Sequence, residues 1–188
     1  MMSIFVEGPA VEPVGLSEMK AYLRVDDDDG TQDAVIAGLV TAARLVVEAA
    51  SRRILIEQSW RVVMDHWPKE RVVRLPVSPV IAVGSVKVFD QDGAMTEIAP
   101  ASVESDTLSD PPRIAVTDAP DPGQARNGIV IDLKAGYGAT ADAVPATLRL
   151  AVKILVTHWF ENRGDVTGEQ VLPPEALALV APFGRARL

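Results

Sequence analysis

The residues of this chain that most invite a chemical reading are four consecutive aspartates and a glycine, Asp26-Asp27-Asp28-Asp29-Gly30. Closely spaced carboxylates are what a hard cation such as calcium requires. An EF-hand loop places acids five, three and one residues before its glycine and a glutamate six after it. Val25 stands at the first of these positions and Ile36 at the last, so that motif fails. A weaker divalent site stays open. The plainer expectation is a solvated turn whose last acids favour the positive N-terminus of the helix that follows.

The chain has two histidines, His66 and His158. No His-Glu-x-x-His zinc motif contains them, and no Gly-x-Ser-x-Gly elbow supplies a nucleophile. His66 lies between Asp65 and Trp67-Pro68, where a loop is expected. His158 sits among Val156, Trp159 and Phe160 and reads as a packed, hydrogen-bonded side chain. Ala135-Gly136-Tyr137-Gly138 is too short for a phosphate loop and reads as a turn. A hydrolase or metal-dependent enzyme using His66 or Asp29 therefore has no motif behind it. The expectation is no catalytic residue, no cofactor and no metal. A monomeric β-rich binding module is a further alternative.

These residues are held by elements that read as helix, helix, a strand-rich middle, helix and tail. The first helix opens near Ser17, a suitable N-cap, with Leu16, Met19 and Leu23 on one face. The second runs from about Thr31 to Ser51. Its polar residues Asp33, Thr41, Arg44, Glu48 and Arg52 fall on one narrow stripe, and apolar residues cover the rest. A surface helix ordinarily has the opposite proportions, so this one must be covered on several sides. The middle has short β-branched runs at 60–64, 71–75, 83–89, 113–117 and 129–133, separated by turn signals such as Asp90-Gln91-Asp92-Gly93 and Asn127-Gly128. Pro76 and Pro79 mark a sheet edge or crossing. The third helix starts at Pro145 and ends at Gly164, with Arg149, Lys153 and Thr157 as its thin polar stripe. The second and third helices are expected to pack together. Pro173-Pro174 opens a tail in which Glu175 to Val180 forms one or two helical turns.

The fold class expected is α+β: a helical core of three main helices with an inserted small antiparallel β-rich region and an extended C-terminal tail. The corresponding segments are 1–53, 54–134, 135–164 and 165–188. With 188 residues, such a chain buries roughly 70% of its unfolded surface. The absence of cysteine excludes disulfides and thiolate metal sites. Met1 to Pro13 lacks the pattern of a signal peptide, and no apolar run is expected to reach the ~20 residues of a bilayer span. The net charge of −8 disfavours a generic DNA-binding face, and such a charge also keeps a protein soluble.

Taken in order, several short motifs resemble a known family. They are Leu23-Arg24-Val25-Asp26, Ser59-Trp60, Leu75-Pro76-Val77-Ser78-Pro79-Val80, Gly136-Tyr137-Gly138, Val144-Pro145 and Trp159-Phe160-Glu161-Asn162-Arg163. Together they are similar to head–tail connector (adaptor) proteins of tailed phages, of the gp6-like and phiE125 gp8 type, which also occur in gene transfer agents. The resemblance spans about Gly15 to Gly164. It implies a homo-oligomeric ring, commonly twelve-fold, beneath a portal protein and above a stopper or tail-terminator protein. DNA would pass through the ring without sequence-specific binding. Assembly is expected in the bacterial cytoplasm, at the head–tail junction of a phage-like particle. On this reading Val35, Leu39, Val46, Leu150, Ile154 and Trp159 serve core or subunit packing. Leu177, Val180, Phe183, Arg185 and Arg187 contact the portal.

Overall fold

The computed structural model describes residues 1–162 and 172–184. It is an α+β protein with two antiparallel sheets, dividing into two compact units. One comprises Met1–Pro9 and Glu57–Tyr137, the other Ala10–Ile56 and Gly138–Leu188.

The β-rich unit contains strands β1 (Met2–Glu7), β2 (Gln58–Met64), β3 (Val72–Arg74), β4 (Val80–Phe89), β5 (Met95–Glu97), β6 (Val103–Asp106), β7 (Arg113–Val116) and β8 (Ile129–Ala135). The larger sheet has the order β1-β2-β8-β4-β5 and the smaller β3-β7-β6. Alternation along β8 sets the faces: Ile129, Ile131 and Leu133 are buried, whereas Val130, Asp132 and Lys134 turn outward. In register with them, Val62 lies opposite Ile131 on β2, and Val86 and Val88 lie opposite Ile131 and Ile129 on β4. Val73, Ile114 and Val116 are the buried positions of the smaller sheet.

On the outward face, Asp132 gathers three strands. It accepts from Arg61 Nε at 2.7 Å, Lys87 Nζ at 3.2 Å and Ser85 Oγ at 3.2 Å. Partial burial works against its carboxylate, but the hydrogen bonds from Arg61 and Lys87 prevail and hold its pKa below the usual value. The Asp90–Gly93 turn is fixed by Asp90 Oδ1, which accepts from the N–H groups of Asp92 and Ala94 at 2.9 and 2.8 Å. Gly93, at φ 82°, takes the left-handed position that a side chain disfavours.

β1 differs from expectation. Residues 2–7, assigned from sequence to the helical core, pair antiparallel with β2 and form an edge of the larger sheet. The segment Met2-Ser3-Ile4-Phe5-Val6 has strand propensity, but at six residues and beside the chain start it carries no turn signal to announce it. Phe5 lies edge-on to Trp60, with ring centroids 5.5 Å apart.

The helical unit contains α1 (Leu16–Leu23), α2 (Asp33–Ser51), α3 (Ala146–Glu161) and α4 (Pro174–Val180). α1 begins two residues earlier than an N-cap at Ser17 would set it, with Gly15 at the cap and no side-chain cap bond. α2 is preceded by a 3₁₀ turn, Gly30–Gln32, and it packs against α3 as its apolar pattern requires. Together Gly30–Ser51 spans 22 residues and is long and apolar enough to cross a membrane, contrary to the sequence expectation. Here its apolar character has a local cause: Ile36, Val40, Ala43 and Val47 pack inward, as do Leu148, Ala151, Val152 and Leu155 of α3.

The tail is not extended over its described part. α4 packs on α3 and α2. Ala176 and Val180 are buried, and Arg53 Nε donates to the Phe183 carbonyl at 3.2 Å. The spacing of Ala176 and Val180 puts both on one helical face, which is why the segment folds back.

Candidate functional site

In the helical unit, three charged side chains, Lys20, Arg44 and Glu48, are turned inward. Lys20 is 1% exposed. Its ammonium donates to the carbonyls of Asp27 at 2.6 Å and Asp29 at 2.9 Å and pairs with the Asp33 carboxylate at 2.9 Å. The acidic turn thus already holds a cation, supplied by α1. The hydrogen bond that Lys20 donates to Asp33 raises the Lys20 pKa, against the opposing pull of burial. Asp29 Oδ1 accepts from the Thr31 N–H at 2.9 Å and caps the 3₁₀ turn. The carboxylates of Asp26, Asp27 and Asp28 lie exposed.

A second inward network crosses α2. Arg44 Nε donates to Glu12 at 2.8 Å, and its Nη1 donates to Glu48 at 3.0 Å. Glu48 accepts in turn from the Leu55 N–H at 2.9 Å, and Thr41 donates to Glu12 at 2.9 Å. The polar stripe read from sequence is real, but Arg44 and Glu48 are buried rather than solvated. The stripe on α3 behaves alike. Arg149 and Lys153 converge on Glu18 at 2.8 and 2.7 Å, and Arg149 also donates to the Pro13 carbonyl. Burial opposes the Glu18 charge, but the bonds from Lys153 and Arg149 outweigh it and lower the pKa.

With its charges inside, α2 shows an apolar face to solvent. At 100° per residue, Ala34, Gly38, Leu45 and Ala49 lie within about 60° of the circumference, and all are exposed. Leu45 is 54% exposed and neighbouring Val35 45%. Ala34, Gly38 and Ala42 repeat at four-residue spacing, so another helix could approach closely along this face. The six residues assigned to core or subunit packing stand at the margin of the core. Val35 and Leu150 are exposed, and Leu39, Val46, Ile154 and Trp159 are half-buried. Sequence reading passed over Leu45. The available signal was its place opposite the buried positions 36, 40, 43 and 47.

Among the portal candidates, Leu177 is exposed, Phe183 is half-buried, and Val180 is buried in its own unit, so Val180 holds α4 in place. Arg185 and Arg187 lie outside the described residues. Among the enzyme candidates, His66 is exposed in a loop as expected. His158 is exposed rather than packed: it lies about 90° around α3 from the buried Leu148, Val152 and Leu155 row, at the margin of the buried face. Among the described residues no three His, Asp or Glu side chains form a group able to hold a metal ion.

No known family profile matches the chain, and no curated protein does. Solved structures do match, along the whole chain. A chain from the neck of an empty gene transfer agent (GTA) particle, computed with C6 symmetry, has a TM-score of 0.86 at 26% identity, covering 100% of this chain and 97% of that one. A chain from the virion of a native GTA particle scores 0.82 at 27% identity, and one from the neck of a native GTA particle computed with C12 symmetry scores 0.75 at 26%, each with the same coverage. The chain therefore shares its complete architecture with components of GTA particles, two of them from the neck.

Proposed function

We propose that this chain is a structural head–tail adaptor of a phage-like particle, whose copies form a ring around the path of DNA beneath the portal. The observation that carries this reading is the similarity over 100% of the chain to GTA neck components at TM-scores up to 0.86. The C6 and C12 symmetries of those necks support a repeated arrangement of copies, and the exposed apolar face of α2 supports it independently. Solvent-facing Leu45, Val35, Gly38 and Ala49 are side chains that a neighbouring subunit would cover. A head-to-tail contact closes into a ring when the rotation permits.

On this reading Val35, Leu39, Val46, Leu150, Ile154 and Trp159 line subunit contacts with their open sides. Leu177, Phe183, Arg185 and Arg187 face the portal, and the stopper or tail terminator binds the opposite rim. The segment 165–188 acts as the docking part, with Val180 as its internal anchor. The net charge of −8 keeps the conduit from gripping phosphates, so DNA slides.

The test is to image particles carrying a small label on this chain and, separately, particles in which the chain ends at Gly184. The label is expected in a collar between capsid and tail, and the shortened chain is expected to fold but to leave heads unjoined. A label found elsewhere in the particle overturns the adaptor reading. Normal joining by the shortened chain removes Arg185 and Arg187 from the portal contact.

A further inference from the structure

The β-rich unit holds a cavity of about 770 Å³ whose lining includes Trp67, Lys69, Arg74 and Arg113. Arg74 and Arg113 are directly opposite each other across β3 and β7. Like charges at facing positions of an antiparallel pair repel and destabilise it, so the arrangement calls for an anion to bridge them. Arg113 is partly answered by Asp106, at 3.0 Å. Arg74 is exposed, and neither its side chain nor that of exposed Lys69 has a hydrogen bond or ion pair among the described residues. His66 lines the same cavity. The cavity's own acids are Asp65 and Glu70. Asp65 accepts the Asn127 N–H at 2.8 Å and keeps its charge, so the lining sets Lys69, Arg74 and Arg113 against Asp65 and Glu70, with the bases in excess. The lining also has apolar side chains, among them Met64, Val73 and Trp67. The chemistry fits an acidic peptide segment laid over an apolar floor.

The helical unit offers such a segment. The carboxylates of Asp26, Asp27 and Asp28 are exposed, and none has a side-chain hydrogen bond or ion pair with a described residue; Lys20 bonds the main-chain carbonyls of Asp27 and Asp29 and attracts the Asp27 carboxylate only through space. The geometry points to a contact between copies, in which the Asp26–Asp28 turn of one subunit enters the Lys69–Arg74–Arg113 cavity of the next. Two different surfaces of one chain are then complementary to each other, which is the requirement for a head-to-tail ring. Desolvated arginine–carboxylate pairs supply direction and register there. This assignment rests on the adaptor reading above, since it presumes a ring of copies.

The chain has no cysteine, so introduced thiols report without background. Asp27→Cys and Arg74→Cys are combined in one chain, both at exposed positions, and particles assembled from it are oxidised and run without reductant. A ladder of disulfide-linked multimers is expected, with each single variant giving dimers at most. A second combination, Asp28→Cys with Lys69→Cys, is expected to give the same ladder. Particles with intact necks in which both double variants run as monomers overturn this contact and leave the adaptor reading standing. Particles whose collar lacks the chain overturn both. Separately, Arg74→Glu with Arg113→Glu is expected to reduce joined particles at least about tenfold, and adding Asp26→Lys, Asp27→Lys and Asp28→Lys is expected to restore them. Failure of the added lysines to restore joining counts against the contact.

Discussion

The two units treat charge in opposite ways. The β-rich unit follows the ordinary rule: Ile129, Ile131 and Leu133 go inward, while Asp132, Arg61 and Lys87 stand on the outer face as a cross-strand cluster. The helical unit keeps an apolar interior as well, with Ile36, Val40, Val47 and Leu148, but buries charges within it. Lys20, Arg44 and Glu48 are buried, and Leu45, Val35, Gly38 and Ala49 are outside. Burying charges stabilises little by itself, since desolvation cancels much of the attraction. The exposed apolar face of α2, with charges buried behind it, is therefore not explained by the stability of one subunit. It is explained if the outside of α2 is the inside of an assembly.

The largest effect is expected from breaking the buried network. Glu48→Leu, leaving Arg44 without that partner, should cost about 3 kcal/mol in urea unfolding, and Arg44→Met added to it should return a good part of that loss. A single variant that unfolds like the wild type would show that the interior charges are solvated after all. Next in size, Lys20→Met should lower the thermal midpoint and speed hydrogen exchange at the Asp29 N–H, which now bonds the Asp26 carbonyl at 3.2 Å. Unchanged exchange would mean that the turn holds itself.

The outer face of α2 should respond in the opposite sense. Leu45→Glu should leave stability within about 0.5 kcal/mol yet abolish joined particles. Loss of stability of the lone subunit instead would make the face part of a monomer's core. The smallest effect is expected in acid. The folded-state pKa values of Asp132 and Glu18 are lowered, so the stability they contribute is complete above the unfolded carboxylate values near ~4 and is lost as pH falls through the lower folded values. Asp132→Asn should flatten the acid limb of the β-rich unit and Glu18→Gln that of the helical unit. Some slope should persist near pH 2, because hydrogen bonds from Ser109, with Arg113 adding to them, hold Asp106 at about 2. An acid limb unaltered by both substitutions would contradict the lowered values.

Much of this architecture was legible in the sequence because its signals are local. Periodicity gave α2 and α3 and their mutual packing, and β-branched runs between turn residues gave β2, β3, β4, β7 and β8. β1 pairs with β2, far along the chain, and β5 (Met95-Thr96-Glu97) and β6 (Val103-Glu104-Ser105-Asp106) lack the apolar β-branched run that marks the other strands. For the interaction surfaces, periodicity located the polar stripe of α2 but not its direction. A helix with two differing faces does not state which one its own domain covers, and the partners that decide it, Glu12 and Leu55 for the Arg44–Glu48 pair, lie outside the helix. Val180 was misassigned for the same reason: an apolar residue in a short terminal helix serves equally as an anchor or as a contact.

The lysine in the acidic turn has a consequence for how such a particle is built. A dissolved ion holding this loop would come and go with its concentration, and the bend would be ordered in one medium and loose in another. An ammonium tethered through α1 cannot leave, so the loop has the same shape at any external calcium or magnesium level. A component fashioned inside a cell and later exposed to an unrelated outside medium would then keep this corner unchanged through the transfer.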